Sequence, residues 1–142
     1  MNDIRTLIPH AGTMCLLQRV VAWDEGRIVA ATRTHLSADN PLRRAGRLHG
    51  LHLAEYGAQA AAVHGGLLAR ARGGRAEPGV LAAIRDLRLD CGELEQLDGE
   101  LLVRATLLIR DGSGCQYGFA VEHAGIEIAA GRVAILRRNP DG

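Results

Sequence analysis

Glu55 lies within Ala54-Glu55-Tyr56-Gly57-Ala58-Gln59-Ala60-Ala61-Ala62, inside a segment, residues 50–71, that is apolar or small at nearly every position. Such a pattern predicts a helix enclosed by protein, where a carboxylate is costly unless it is paired, hydrogen-bonded or chemically employed. His49 precedes the first turn of that helix and His52 stands three residues before Glu55, a spacing that projects both side chains of the latter pair from one helical face. The backbone N–H groups of Gly50 and Leu51 open the same helix; amides in that position favour an anion through the helix dipole, and a glycine there lets a ligand approach the backbone. Gln59 follows Glu55 by one turn and can hydrogen-bond it or a partner chain. These are parts for proton transfer. Each also has a plainer use: a structural carboxylate, a capping histidine, an N-terminal glycine, a satisfied buried amide.

The elements that must position these groups are set off by turn residues. Residues 14–23 form an apolar run closed by Asp24-Glu25-Gly26, and residues 27–35 alternate, with Ile28, Ala30 and Thr32 set against Val29, Ala31 and Arg33. This is a hairpin signal. Residues 36–48 carry Ser37, Asp39, Asn40, Pro41 and Gly46 in no period and read as a loop feeding the helix over 50–71. The glycines and proline of residues 72–79 end that helix. Four strands are predicted beyond it, at 80–89, 100–110, 114–122 and 126–136, with turn residues between them. Leu101, Val103, Ala105 and Leu107 alternate with Leu102, Arg104, Thr106 and Leu108, the pattern of a half-buried strand. Two strands, a long helix and four strands make an α+β domain in which an antiparallel sheet wraps one central helix. Small residues at Gly57, Ala58, Ala61, Ala62, Gly65 and Gly66 let the sheet close tightly on it. The terminal strand would leave an open sheet edge, so the chain is predicted to dimerise edge to edge. Residues 137–142 read as a frayed terminus.

Length and composition narrow the function classes. The 142 residues suffice for one domain, 1–142, with a real core. A formal charge of +1, with all 17 basic side chains arginine, gives no global attraction to nucleic acid. Trp23, Tyr56, Tyr117 and Phe119 are expected to line the core or a tunnel, with no stacking array for single strands. Cys15, Cys91 and Cys115 are odd in number and lack metal-site spacing, so neither a disulfide framework nor a zinc site is expected. With no leader or membrane-spanning run, the expected location is the reducing cytoplasm.

Two separated motifs resemble one family. Ile8-Pro9-His10 followed by Met14-Cys15-Leu16-Leu17-Gln18-Arg19-Val20 resembles the Leu-Pro-His and Leu-Leu-Val-Asp-Arg-Val opening of the hotdog-fold 3-hydroxyacyl-ACP dehydratases, the FabZ group. Gly50-Leu51-His52-Leu53-Ala54-Glu55-Tyr56-Gly57-Ala58-Gln59-Ala60 resembles their Gly-Val-Leu-Ile-Leu-Glu-Ala-Met-Ala-Gln-Ala helix, with Glu55 and Gln59 in register. The later strands, with Gly125-Ile126-Glu127-Ile128-Ala129-Ala130-Gly131, look like the family's closing meander. One loop departs from the pattern. Where the family carries its catalytic histidine in Gly-His-Phe-Pro-Gly-His-Pro, this chain has Asn40-Pro41-Leu42-Arg43-Arg44-Ala45-Gly46-Arg47-Leu48-His49, and the family's spacing from Glu55 lands on Pro41. A rebuilt, shortened loop is similar to the divergent ApeP-like branch of aryl-polyene gene clusters.

The resemblance implies a hotdog fold and dehydration of a 3-hydroxyacyl thioester to the trans-2-enoyl thioester, in fatty-acid, polyketide or aryl-polyene synthesis. The substrate would arrive on the phosphopantetheine of an acyl carrier protein, with no metal or redox cofactor and no nucleic-acid or membrane partner. It makes Glu55 the acid for the departing hydroxyl, and Gly50 and Leu51 donors to the thioester oxygen. Gln59 would assist in substrate binding. The base is left to His49, to His52 or to a FabZ-like subunit in a heterodimer, with a homodimer as the alternative assembly. Arg43, Arg44 and Arg47 would form a basic lip for an acidic carrier. Two rivals stand beside this reading: a hotdog acyl-thioesterase directing water with a carboxylate on the same helix, and a non-catalytic subunit supporting an active dehydratase.

Overall fold

The computed structural model describes Ile4, residues 15–74 and residues 79–137; Ile8-Pro9-His10, Met14 and residues 138–142 lie outside them. Strands β1 (Arg19–Trp23) and β2 (Arg27–Thr32) form the expected hairpin. Its turn is held by the Asp24 carboxylate, which accepts from the N–H groups of Gly26 (2.8 Å) and Arg27 (3.0 Å). A 3-10 turn, Gly50–His52, leads into α1 (Leu53–Ala71). Strands β3 (Gly79–Leu89), β4 (Leu101–Asp111), β5 (Gly114–His123) and β6 (Ile126–Arg137) complete the chain. The six form one sheet in the order β1-β2-β4-β5-β6-β3, antiparallel at every pairing. The predicted elements are therefore present, and no described helix is long and apolar enough to cross a membrane.

The open edge is not the one expected. Strand β6, last in sequence, is interior, and β3 crosses over to lie outside it. Helix α1 packs across β2, β4, β5 and β6, touches β3 only slightly and reaches the other edge strand, β1, less still. Ile84 of β3 pairs with buried Val133 and so shares its helix-facing side, yet it is 42 % exposed, and Val80 and Leu81 are exposed as well. Two bulges interrupt β3, and at the second Asp86 takes φ 53° and accepts from the Arg132 guanidinium.

Helix and sheet approach closely because the helix presents small residues. A Cβ added to Gly57 would lie 2.5 Å from Cγ of Phe119, so the Phe119 ring occupies the space of the absent side chain. Leu53, Tyr56, Ala60, Val63 and Leu67 are buried against Ile28, Val103, Ala105, Tyr117 and Val121. Trp23, expected inside, is 38 % exposed at the end of the short edge strand β1.

Two histidines are wholly buried in this core. His64 of α1 hydrogen-bonds the Tyr117 hydroxyl through Nδ1 (2.6 Å) and the Asp24 carbonyl through Nε2 (2.7 Å). A carbonyl only accepts, so Nε2 carries the proton and Nδ1 receives the one from Tyr117. His35, in the turn after β2, donates from Nε2 to the Leu97 carbonyl at 2.7 Å; its Nδ1 has no partner among the described residues. Burial holds both imidazoles below their ordinary pKa of 6.5, and burial pushes the Tyr117 hydroxyl up to about 12.

Two predictions follow from this core. Gly57→Val should destabilise the fold by about 1–3 kcal/mol through overpacking, read as a lower denaturation midpoint. Paired with Phe119→Leu it should cost less than the sum of the two changes, and strict additivity would exclude the contact as the cause. The second concerns pH. Because His35 and His64 bind protons less readily folded than unfolded, stability should be fullest above the unfolded value of 6.5 and fall as pH drops through it. Urea midpoints measured from pH 8 down to pH 5 would test this, and His64→Gln should flatten the slope.

Candidate active site

The helix entrance is built from a reciprocal set of backbone bonds. Gly50 N–H donates to the Gly92 carbonyl at 2.6 Å, and His52 N–H to the His49 carbonyl at 3.0 Å. Leu51 N–H donates to Nδ1 of His49 at 3.0 Å, and Leu53 N–H closes onto the carbonyls of Gly50 and Leu51. Gly50 is required by this packing, since a Cβ there would lie 2.9 Å from both the carbonyl oxygen and Sγ of Cys91. The amides of Gly50 and Leu51, expected to face a substrate oxygen, therefore already have acceptors inside the chain. His49 is exposed and acts as the N-cap, its Nδ1 lone pair committed to Leu51.

Glu55 is exposed, against the expectation of an enclosed carboxylate. The reason is geometric: Leu51, Glu55, Ala58, Ala62, Gly65, Ala69 and Arg72 recur three and four residues apart, all exposed or half-buried, so one flank of α1 is left uncovered by the sheet. Small side chains that read as an enclosed helix instead form an accessible surface. Among the described residues the Glu55 carboxylate has neither a hydrogen bond nor an ion pair. His52 is half-buried three residues before it. Gln59 turns the other way: it is 5 % exposed, and its Oε1 accepts from Leu16 N–H at 2.9 Å, tying the chain before β1 to the helix.

The loop that replaces the family's histidine motif is held by a buried polar network. The Tyr56 hydroxyl, buried in α1, meets Thr34 Oγ1 at 2.9 Å and receives Asn40 Nδ2–H at 2.9 Å. Asn40 also donates to the Thr34 carbonyl (2.9 Å) and accepts from Leu42 N–H (2.9 Å), which folds the chain around Pro41. Thr32 and Thr34 both donate to the Leu16 carbonyl, at 2.5 and 2.6 Å. Burial raises the Tyr56 pKa, so the hydroxyl remains a donor as well as an acceptor.

The arginines of the expected lip divide in role. Arg43 is half-buried and clamps the loop from within, donating to the carbonyls of Gly46 (2.7 Å) and His35 (3.1 Å). Arg47 is exposed and pairs with Glu93 at 3.1 Å, while exposed Arg44 reaches the Arg43 carbonyl at 3.1 Å. Opposite them Glu95 accepts from Leu48 N–H at 2.8 Å, the main reason its carboxyl is held below the ordinary range. Sequence reading missed the Tyr56–Asn40–Thr34 network; the one available signal was a polar aromatic in the buried run of the helix with an Asn-Pro turn upstream. The arrangement has one unpartnered carboxylate on an open flank, a braced loop and a helix entrance whose amides are occupied. No group of three or more metal-ligating side chains is assembled among the described residues.

A family model for ApeP-like proteins, described as the ApeP dehydratase, matches residues 2–141. No match is found among curated proteins. Among solved structures the chain is similar to the dehydratase heterocomplex ApeI:P from Xenorhabdus doucetiae, with a TM-score of 0.89 and 22% identity, over 99% of this chain and 94% of that one. AziG from S. sahachiroi gives a TM-score of 0.64 at 21% identity over 92% and 97%. A hypothetical thioesterase with coenzyme A from Streptococcus pneumoniae gives 0.62 at 14% identity over 85% of each chain. At these identities the structural likenesses establish the shared hotdog fold.

Proposed function

The chain belongs to the ApeP-like dehydratase family, and from that premise we propose that it is one subunit of a dehydratase acting on a 3-hydroxyacyl thioester carried by acyl carrier protein. The observation that carries the reading is the unpartnered Glu55 carboxyl on the open flank of α1, beside a helix entrance whose Gly50 and Leu51 amides are already engaged. In the reaction a base takes the α-proton, the C3–O bond breaks, and the hydroxyl leaves as water with the proton given by Glu55. A partner seated over the flank would take Glu55 out of water, and desolvation favours the protonated carboxyl that an acid needs.

The base is assigned to the partner. His49 spends its Nδ1 on the helix cap, and the position that carries histidine in the FabZ group is Pro41. A shared site also accords with the similar structure, which is that of a heterocomplex. The exposed, apolar edge strand β3 provides a surface for joining sheets. Arg44 and Arg47, exposed beside the helix entrance, suit an acidic carrier domain.

Three experiments test the proposal. The purified chain incubated with 3-hydroxyacyl-ACP should be inert and should gain dehydratase activity with a histidine-bearing FabZ-like subunit. Mass spectrometry would show loss of water with the acyl group still on the carrier; a freed carrier would mean thioester hydrolysis. Light scattering should show association, and a stable, inert monomer in the presence of the partner would count against the shared site, as would activity of the chain alone that disappears in His52→Ala. In the active assembly, Glu55→Gln should reduce turnover by about 10²- to 10⁴-fold without loss of assembly. Near-normal turnover would remove Glu55 from the mechanism.

A further inference from the structure

The loop that leads from β2 to the helix entrance is closed by polar bonds more than by apolar burial. Between Arg33 and Arg47 the buried side chains are His35 and Asn40, while Leu36 and Leu42 are only half-buried. A segment with so little apolar surface in the core can open while the helix and sheet stay folded. Its inner fastening is His35. The ring donates from Nε2 to the Leu97 carbonyl at 2.7 Å, which leaves a bare lone pair on Nδ1, a buried atom with no partner among the described residues. Arg43 holds the same turn through its backbone, with Nη2 on the His35 carbonyl at 3.1 Å and Nη1 on the Gly46 carbonyl at 2.7 Å.

The surroundings of this ring suit it only while it is neutral. A proton on Nδ1 would turn that atom into a buried donor in need of an acceptor, and the other buried, unpartnered atom of the loop, Nε of Arg43, is itself a donor. Burial is the largest influence on the ring; with the charges of His123 at the end of β5, Arg43 in the loop and Arg33 beside the turn, it holds the imidazole below its ordinary 6.5, against the pull of the Leu97 carbonyl. Among the described residues no carboxylate bonds the ring. In the Leu94–Gln96 turn, which packs against the turn of His35, Glu95 accepts from Leu48 N–H, and neighbouring Glu93 pairs with Arg47. Asp39 and Asp98 are exposed, and the Asp98 carbonyl is bonded to Nε2 of His123 at 2.6 Å. His64 is a different case: both its ring nitrogens are bonded, between helix and sheet, so charging it requires the core to part.

We infer that His35 is a proton-sensitive latch: the neutral ring holds the 33–47 loop closed against Leu97, and proton uptake at Nδ1 releases that loop, with the exposed Arg44 and Arg47 it carries, while α1 and the sheet remain folded. The inference does not depend on the function proposed above. Because the open loop binds a proton that the closed one rejects, each pH unit below 6.5 should raise the open population about tenfold. Hydrogen exchange of the full chain, followed by mass spectrometry from pH 8 to pH 5 and corrected for the intrinsic rate at each pH, reads this directly. Protection of peptides covering 33–48 should fall about tenfold for each pH unit below 6.5, and at every pH α1, residues 53–71, should stay more protected than the loop. His35→Gln should make loop protection independent of pH, whereas His64→Gln should leave the loop's slope in place. Should His35→Gln fail to fold, exchange at the C2 position of each histidine in the unaltered chain decides the matter, since His35 must take up its proton over the range in which the loop opens. Loop protection that is flat with pH, loop and helix equally protected throughout, a slope that survives His35→Gln, or a His35 titration that does not track the opening would each overturn the inference.

Discussion

The close seating of α1 on the sheet is the constraint from which the other features follow. With no side chain at Gly57, the Phe119 ring enters the helix surface, and at that separation two tyrosine hydroxyls reach across the interface. Tyr56 binds the loop after β2, and Tyr117 binds His64. Each is a buried polar contact whose loss would leave a donor or acceptor unsatisfied, so they fix the register of helix on sheet in a way that apolar packing alone does not. A single helix so placed cannot cover six strands. The sheet is therefore incomplete on the helix side at β3, and the helix is uncovered along the flank that carries Glu55.

The groups around the helix entrance differ in whether the fold already uses them. The amides of Gly50 and Leu51, Nδ1 of His49 and the amide of Gln59 all have chemistry on offer in the abstract, and all are engaged by Gly92, His49, Leu51 and Leu16. Recruiting any of them to a substrate would mean breaking a bond that shapes the entrance. Glu55 carries no such obligation. A carboxylate on an accessible surface of the helix, with no bond to its own protomer, is free to meet solvent, a ligand or another chain.

Much of the fold was legible because periodicity reports it directly. The alternation of residues 101–108 is realised as Leu101, Val103 and Ala105 buried while Thr106 and Leu108 are exposed, and the turn residues separate the strands where the sequence places them. The spatial order of strands was not legible. Hairpin logic makes the last strand an edge, whereas β3 leaves the helix and crosses to flank β6, a choice set by which side of the helix the chain returns on. The exposure of Glu55 was hidden for a different reason: alanine and glycine read alike whether they face a sheet or a groove. Residue type could not distinguish His49 as cap from His49 as base, and the engagement of Gln59 depends on Leu16, 43 positions away in sequence.

In the proposed assembly, association and catalysis become one event. Covering the helix side of the sheet would hide Leu81 and Ile84, whose exposed apolar surface favours association at roughly 25 cal/mol for each Å2 removed from water. The same cover would desolvate Glu55. The apolar gain therefore supplies the free energy for placing a carboxyl where its proton is held, which an isolated protomer has no means to do. It follows that changes at the β3 edge should act on turnover through assembly, and that raising subunit concentration should restore what such changes remove. Changes at Glu55 should leave assembly intact and be insensitive to concentration, because they alter the chemistry and not the contact that creates its environment.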